Sequence, residues 1–240
     1  MRFNSLTIVI PVYNEGPVIQ TTLDQIKKNV LLPHAILVIY DSPEDTTLPA
    51  VTEYIQAHQA RHIHPFPNKY GRGALNAIKT GLESAGNNPA LVTMADLSDD
   101  LSSVTMMFKE LNAGADIVCG SRYMKGGGQV GGPWFKKMLS RLAGVSLYYL
   151  AGLPTHDATN SFKMYAPEVL QKIKIESNGG FELGMEITIK AFFQGFKVTE
   201  IPTIWHDRTA GKSNFKLFKW LPRYLKWYFL ALNHRFSKRR

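Results

Sequence analysis

Leu6-Thr7-Ile8-Val9-Ile10-Pro11-Val12-Tyr13-Asn14-Glu15 is a β-branched, apolar run that turns polar within a few residues. An apolar run without alternation describes a strand buried on both faces, as in a parallel sheet. Pro11, Tyr13 and Asn14 end it in a loop. The run is too short, and Asn14 and Glu15 follow too soon, for a secretory leader. Outward from it the pattern repeats. Residues 16–30 read as a helix, 35–40 as a strand, 49–59 as a helix and 62–66 as a strand. A helix over 74–85, a strand over 90–95, a helix over 101–112 and a strand over 115–119 follow. Strands alternating with helices predict a doubly wound α/β fold with a mostly parallel sheet. In such sheets ligands bind just beyond the strand ends. Gly126, Gly127, Gly128, Gly131 and Gly132 read as a loop, either a mobile lid or a plain surface connection. Residues 142–156 read as a core helix and loop.

The chain has 240 residues, 45% of them apolar, which suits one α/β domain with a small appendage. The lone Cys119 can form no internal disulfide. The net charge of +9 is local: ten of the 28 Lys/Arg and no Asp/Glu lie in 208–240, leaving 18 basic against 19 acidic residues before it. A duplex nucleic acid groove would spread such charge over the body, so no nucleic acid partner is expected. A basic tail suits an anionic membrane surface. No stretch reaches the roughly 18 apolar residues of a spanning helix.

The polar residues past the strands fall into four clusters: Pro11-Val12-Tyr13-Asn14-Glu15, Asp41-Ser42-Pro43-Glu44-Asp45-Thr46, Asn68-Lys69-Tyr70-Gly71-Arg72-Gly73-Ala74, and Ala95-Asp96-Leu97-Ser98-Asp99-Asp100. In this order and spacing they resemble the family 2 glycosyltransferases of GT-A fold. Within that family the resemblance is to dolichyl-phosphate or polyprenyl-phosphate mannosyltransferases, over roughly residues 5–212. The implied donor is a nucleotide diphosphate-sugar. Breaking its sugar–phosphate bond makes the diphosphate more negative, and a divalent cation offsets that charge. Mg2+ or Mn2+ takes oxygen ligands, which points to Asp96, completed by Ser98 or a water. Asp96 also reads as a simple turn or helix-cap residue. The family pattern is two aspartates one residue apart, and the first position here is Met94, a poor ligand for these ions.

The resemblance also makes Pro11, Tyr13 and Glu15 a base- and ribose-binding loop, with Ala95 and Asp96 beside it. Asp41 becomes an acceptor for base or ribose. Tyr40 stands where relatives carry a second aspartate, and either stacks on the base or packs in the core. Gly71 and Gly73 permit close backbone approach to the nucleotide, and Lys69 is placed to reach phosphate. Asn76 occupies the third glycine position of a dinucleotide fingerprint, which weakens a nicotinamide reading. Gly120-Ser121-Arg122-Tyr123 and then Trp134, Lys136, Lys137, Ser140 and Arg141 resemble the acceptor side of the polyprenyl-phosphate branch. Arg122, Lys136, Lys137 and Ser140 would thus meet a lipid phosphate. Asp157 to Lys163 and Phe181-Glu182 match further elements, and Arg208 resembles a late basic residue that clamps the diphosphate as a fork. Asp96, Arg122 and Arg208 are the expected catalytic residues.

The expected activity is inverting transfer of a mannose- or glucose-type hexose to a polyprenyl (dolichyl or undecaprenyl) phosphate. Transfer to a sugar hydroxyl, as in polysaccharide synthesis, and non-catalytic binding of a nucleotide sugar are the alternatives. Residues 1–213 are expected to form the transferase domain and 214–240 a basic tail. Leu217, Phe218, Leu221, Leu225, Tyr228 and Leu232 recur at helical spacing opposite Lys216, Lys219, Arg223 and Lys226. That describes either a helix lying in a membrane interface or one docked on the body. Pro222 is expected to kink it or to start a second helix. The expected location is cytoplasmic, peripheral at the cytoplasmic face of a membrane.

Overall fold

The computed structural model describes residues 1–207 and 217–237. The alternation appears as β1 (Leu6–Pro11), α1 (Val18–Asn29), β2 (His34–Tyr40), α2 (Thr47–His58), β3 (Ile63–Pro67), α3 (Ala74–Ser84), β4 (Ala90–Val92), α4 (Val104–Asn112) and β5 (Ile117–Ser121). A 3-10 turn, Leu101–Ser103, precedes α4. Then come β6 (Gly128–Val130), α5 (Trp134–Ser146), a π-helical turn (Leu147–Ala151), β7 (Lys163–Tyr165), α6 (Pro167–Lys172), α7 (Leu183–Phe193), β8 (Val198–Pro202), β9 (Ile204–His206) and α8 (Leu217–Ser237).

Seven strands form one sheet in the order β3-β2-β1-β4-β7-β5-β8. Only β7 runs antiparallel to its neighbours. This is the α/β, GT-A-type sheet expected from the alternation. Every residue of β1 is buried, as its unbroken apolar run requires. Helix α3 lies so close to it that a Cβ on Gly81 would stand 2.2 Å from Val9 Cγ1.

Three local expectations are refined. Strand β4 stops at Val92, short of residue 95, because the Met94 N–H turns to the Asp99 carboxylate (3.1 Å) instead of a neighbouring strand. The glycine-rich loop is tied down, since β6 pairs in parallel with β9. The stretch 142–156 divides: its first residues end α5, a surface helix that buries only Gly144, whereas Leu147, Ala151 and Leu153 beyond it are buried in an apolar cluster, as a core helix and loop would be.

Helix α8 runs as one helix through Pro222. Its Trp227 and Ala231 are buried in a second apolar cluster with Leu147, Ala151, Leu153, Ala158, Met185 and Ile189. The Trp227 indole donates to Ser177 Oγ at 3.0 Å. Among the described residues no helix is long and apolar enough to cross a membrane.

Candidate active site

The loops past β1, β2, β3 and β4 meet along one edge of the sheet, because parallel strands end on the same side. Asp45 knits the first two together. Its buried carboxylate accepts the N–H groups of Asn14 (3.1 and 3.2 Å) and Thr47 (2.9 Å). Asn14 accepts the Thr46 N–H in return, and the Glu15 N–H donates to Thr47 Oγ1. These bonds hold Asn14 at φ 54°, a left-handed conformation that asparagine tolerates. Tyr13 is left exposed beside them, and Tyr40 packs partly against the core. Asp41 joins the second loop to the third: it accepts from Asn68 Nδ2 at 2.7 Å and from the Gly73 N–H at 2.9 Å. Gly71 and Gly73 have φ of 80° and 129°, with open space where a Cβ would stand. The backbone there can lie flat against a ligand.

Past β4 the chain makes a tight turn. Asp96 Oδ1 accepts the Ser98 N–H at 3.1 Å, and Leu97 between them sits at φ 59°. A left-handed leucine carries strain of order 1 kcal/mol or more, and such strain clusters at functional sites. The turn is pinned from outside by Thr22 Oγ1 on the Ala95 carbonyl and by the His206 N–H on the Ser98 carbonyl. Asp99 folds back, its Oδ2 accepting from Thr93 Oγ1 (3.0 Å) and the Met94 N–H (3.1 Å). Burial first, and the Asp96 charge second, push the Asp99 carboxyl up to about 7, although the Met94 bond and Arg122 pull the other way. Asp96, Asp99 and Ser98 form an all-oxygen donor set, which fits Mg2+ or Mn2+. Among the described residues no three His, Cys, Asp or Glu gather as a metal cage. That matches an ion held by one or two carboxylates and by substrate phosphate oxygens.

Arg122, at the end of β5, grips Asp157 with both arms of its guanidinium: Nε–Oδ2 is 2.6 Å and Nη2–Oδ1 3.0 Å. Nη2 also donates to Thr159, and the Arg122 N–H donates to the same carboxylate. Burial alone would raise Asp157, but the Arg122 charge and hydrogen bonds, with Lys163 behind, hold it below the usual carboxylate range. Lys163 is fully buried and donates to the Ala158 and Asn160 carbonyls. Tyr123 reaches α5, where its hydroxyl bonds Ser140 and Lys137 Nζ donates to the Gln129 carbonyl at 3.1 Å. Lys136 is half-buried on the same helix. Glu182 is buried at the start of α7. Desolvation raises its pKa, and its Oε2 accepts no hydrogen bond among the described residues.

Comparison with known proteins gives this geometry a family. Residues 7–174 match the family model for glycosyl transferase family 2. The chain belongs to that family. The glycosyltransferase is 31% identical over 212 residues to the polyprenol monophosphomannose synthase of Mycolicibacterium smegmatis, covering 86% of this chain and 79% of that one. It is 27% identical over 233 residues to the dolichol-phosphate mannosyltransferase of Pyrococcus furiosus, covering 92% of this chain and 64% of the relative. A mannosyltransferase from Pyrobaculum calidifontis, solved with GDP-Man and Mn2+, superposes with a TM-score of 0.67 at 18% identity. That match covers 98% of this chain and 65% of the other, and it shows the shared fold.

In this glycosyltransferase most expected residues converge. Pro11, Tyr13, Glu15, Asp41, Gly71, Gly73, Ala95, Asp96 and Ser98 ring the strand ends. One placement differs from expectation. Lys69 leans along α3, its ammonium over the Phe66 ring and 3.5 Å from Ser84 Oγ in the last turn. It is not turned to the nucleotide loops. Arg122 stands where the acceptor side was expected, paired with Asp157. Arg208 lies outside the described residues. Asp45 and Asp99 escape sequence reasoning as site residues: Asp45 acts on the backbone N–H of Asn14, 31 positions away, and Asp99 folds back on Thr93 and Met94 in a turn that no residue pattern announces.

Proposed function

We propose that this glycosyltransferase moves a hexose of mannose or glucose type from a nucleoside diphosphate-sugar to a polyprenyl phosphate, with inversion. The observation that carries the choice of acceptor is the Arg122–Asp157 pair. A hydroxyl acceptor needs a carboxylate base. Asp157 has both oxygens committed to Arg122 and is held below the usual range, and Glu182 is buried. A phosphate monoester needs no base, as it already carries about −1.5 to −2 charge near pH 7. The relatives named for polyprenol and dolichol phosphates support the same choice.

In this reading the loops of Tyr13, Glu15, Asp41, Gly71 and Gly73 hold the nucleoside. Asp96 and Ser98 would hold Mg2+ or Mn2+, which when bound stabilises the negative charge of the leaving diphosphate. Lys136 and Lys137 on α5, with the free edge of the Arg122 guanidinium, orient the lipid phosphate. Its oxygen attacks the anomeric carbon opposite the diphosphate, and that in-line geometry inverts the centre.

The acceptor implies a membrane, and the surface near α5 suits one. Trp134 (73% exposed), Leu142 (59%), Tyr149 (73%) and Phe229 (54%) stand in water on α5, the π-helical turn and α8. The Ser146–Tyr228 hydrogen bond, 2.9 Å, joins these elements. Arg141 on α5 and Arg235, beside Gly152, add positive charge. We read this as a peripheral surface for the anionic cytoplasmic face of a membrane.

The test is turnover with a panel of GDP- and UDP-hexoses, with and without polyprenyl phosphate, in Mg2+ or Mn2+. A lipid-linked hexose should form, and Asp96→Ala should abolish it without unfolding the chain. Full activity of Asp96→Ala in excess EDTA, or transfer only to sugar hydroxyls, overturns the reading.

A further inference from the structure

Met94 leaves the metal turn with one strand-end carboxylate where the family pattern has two, and the fold offers another within reach. Asp99 does not point away along the chain after Ser98. It returns to the end of β4, where Oδ2 is anchored by the Met94 N–H and by Thr93 Oγ1. Its other oxygen, Oδ1, accepts no hydrogen bond from the described residues. Asp96 stands three residues earlier in the same turn, with its Oδ1 accepting the Ser98 N–H. The left-handed Leu97 bends the chain so that both carboxylates share one turn. Two carboxylates on one tight turn, one of them anchored by a single oxygen, are suited to an ion between them.

We propose that Asp99 is the second carboxylate of the metal site, taking through space the place that Met94 leaves empty in sequence. The inference rests on the metal reading of Asp96 given above. The anchored Oδ2 fixes the carboxylate in position, and Oδ1 is the atom offered to Mg2+ or Mn2+. Substrate phosphate oxygens and water fill the remaining positions, so the ion binds well only with the nucleotide. The competing role for Asp99 is purely electrostatic: it would balance Arg122, whose charge it also feels.

Mn2+ binding separates the two. The free-ion electron paramagnetic resonance signal is followed during Mn2+ titration of the protein with GDP or UDP, with no sugar transfer required. Wild type should deplete the signal with at least one of them. Asp99→Asn keeps an oxygen for the Met94 N–H but loses the charge, and it should weaken Mn2+ binding about tenfold or more. Asp96→Asn should weaken it at least as far. The double variant Asp99→Asn with Met94→Asp should recover most of the lost affinity, because it returns a carboxylate to the strand. The double variant also carries the test if Asp99→Asn alone folds poorly, as judged by circular dichroism. If Asp99→Asn binds Mn2+ within about twofold of wild type while Asp96→Asn does not, Asp99 is a partner of Arg122 and the inference fails while the metal reading stands. If wild type binds no Mn2+ with either nucleotide, the metal reading itself falls, and the inference with it.

Discussion

Three hydrogen bonds run from Arg122 to the Asp157 carboxylate, and neither side chain has much access to water: 12% for Arg122 and none for Asp157. Removing one partner of such a pair leaves the other charge buried without compensation, a loss of about 3 kcal/mol or more. Asp157→Asn should therefore lower unfolding free energy by about that much in chemical denaturation, and should weaken acceptor use more than nucleotide binding. The pH dependence has a definite sign. The folded state holds Asp157 below its unfolded value, so it contributes stability above the unfolded pKa of about 4 that is lost as pH falls through the folded one. Wild type should lose stability in acid below about pH 4 more steeply than Asp157→Asn. Equal acid limbs for the two proteins would contradict this account. Arg122 was legible in the sequence as Gly-Ser-Arg-Tyr past a strand, but its partner lies 35 positions on and no local pattern names it.

At the scale of elements, the strand-end clusters were legible because each is contiguous and follows an apolar run. Strands β7 and β9 were not, since three residues are too few to show a period. Helix α5 is hard to place from sequence for another reason. Its apolar residues recur as in any amphipathic helix, and spacing does not say whether that stripe meets a core or a membrane. What fixes α5 is Gly144, the residue it buries. A Cβ there would stand 2.1 Å from the His156 backbone carbonyl, next to Asp157. Gly144→Ala gains about 1 kcal/mol of helix propensity, yet it collides with backbone that cannot swing aside. Overpacking of this kind loses about 1–3 kcal/mol. The expected outcome is a net drop in melting temperature. Lys136, Lys137 and Ser140 should also shift away from Arg122, seen as a higher KM for lipid phosphate with nucleotide affinity unchanged. A more stable Gly144→Ala protein would show that α5 is free to move.

For the whole molecule, the question is which surface meets the lipid that carries the acceptor. The basic, amphipathic character of 214–233 is plain in the sequence, but the orientation of α8 follows from its packing. Trp227 and Ala231 point into the body, so α8 seals the second apolar cluster as well as offering Leu225, Phe229 and Leu230 to solvent. Truncation after residue 213 would thus uncover Leu147, Ala151, Met185 and Ile189, and would confound loss of membrane binding with loss of fold. Substitutions on the exposed face avoid that. Trp134, Leu142 and Phe229 are each more than half exposed, so replacing them by serine should change stability by only about 0.5 kcal/mol. Each of them would bury its apolar area in the headgroup region, at about 25 cal/mol per Å2, and each nearby Lys or Arg adds about 1 kcal/mol at an anionic surface. Wild type should sediment with phosphatidylglycerol-containing vesicles at low salt and be partly released at high salt, because the cationic share is screened and the apolar share is not. The triple serine variant should remain folded, bind nucleotide sugar normally and turn over a detergent-dispersed acceptor. It should fail to sediment with vesicles and transfer poorly to acceptor embedded in them. If it binds vesicles as wild type does, this face is not the membrane surface. The body would then meet lipid elsewhere.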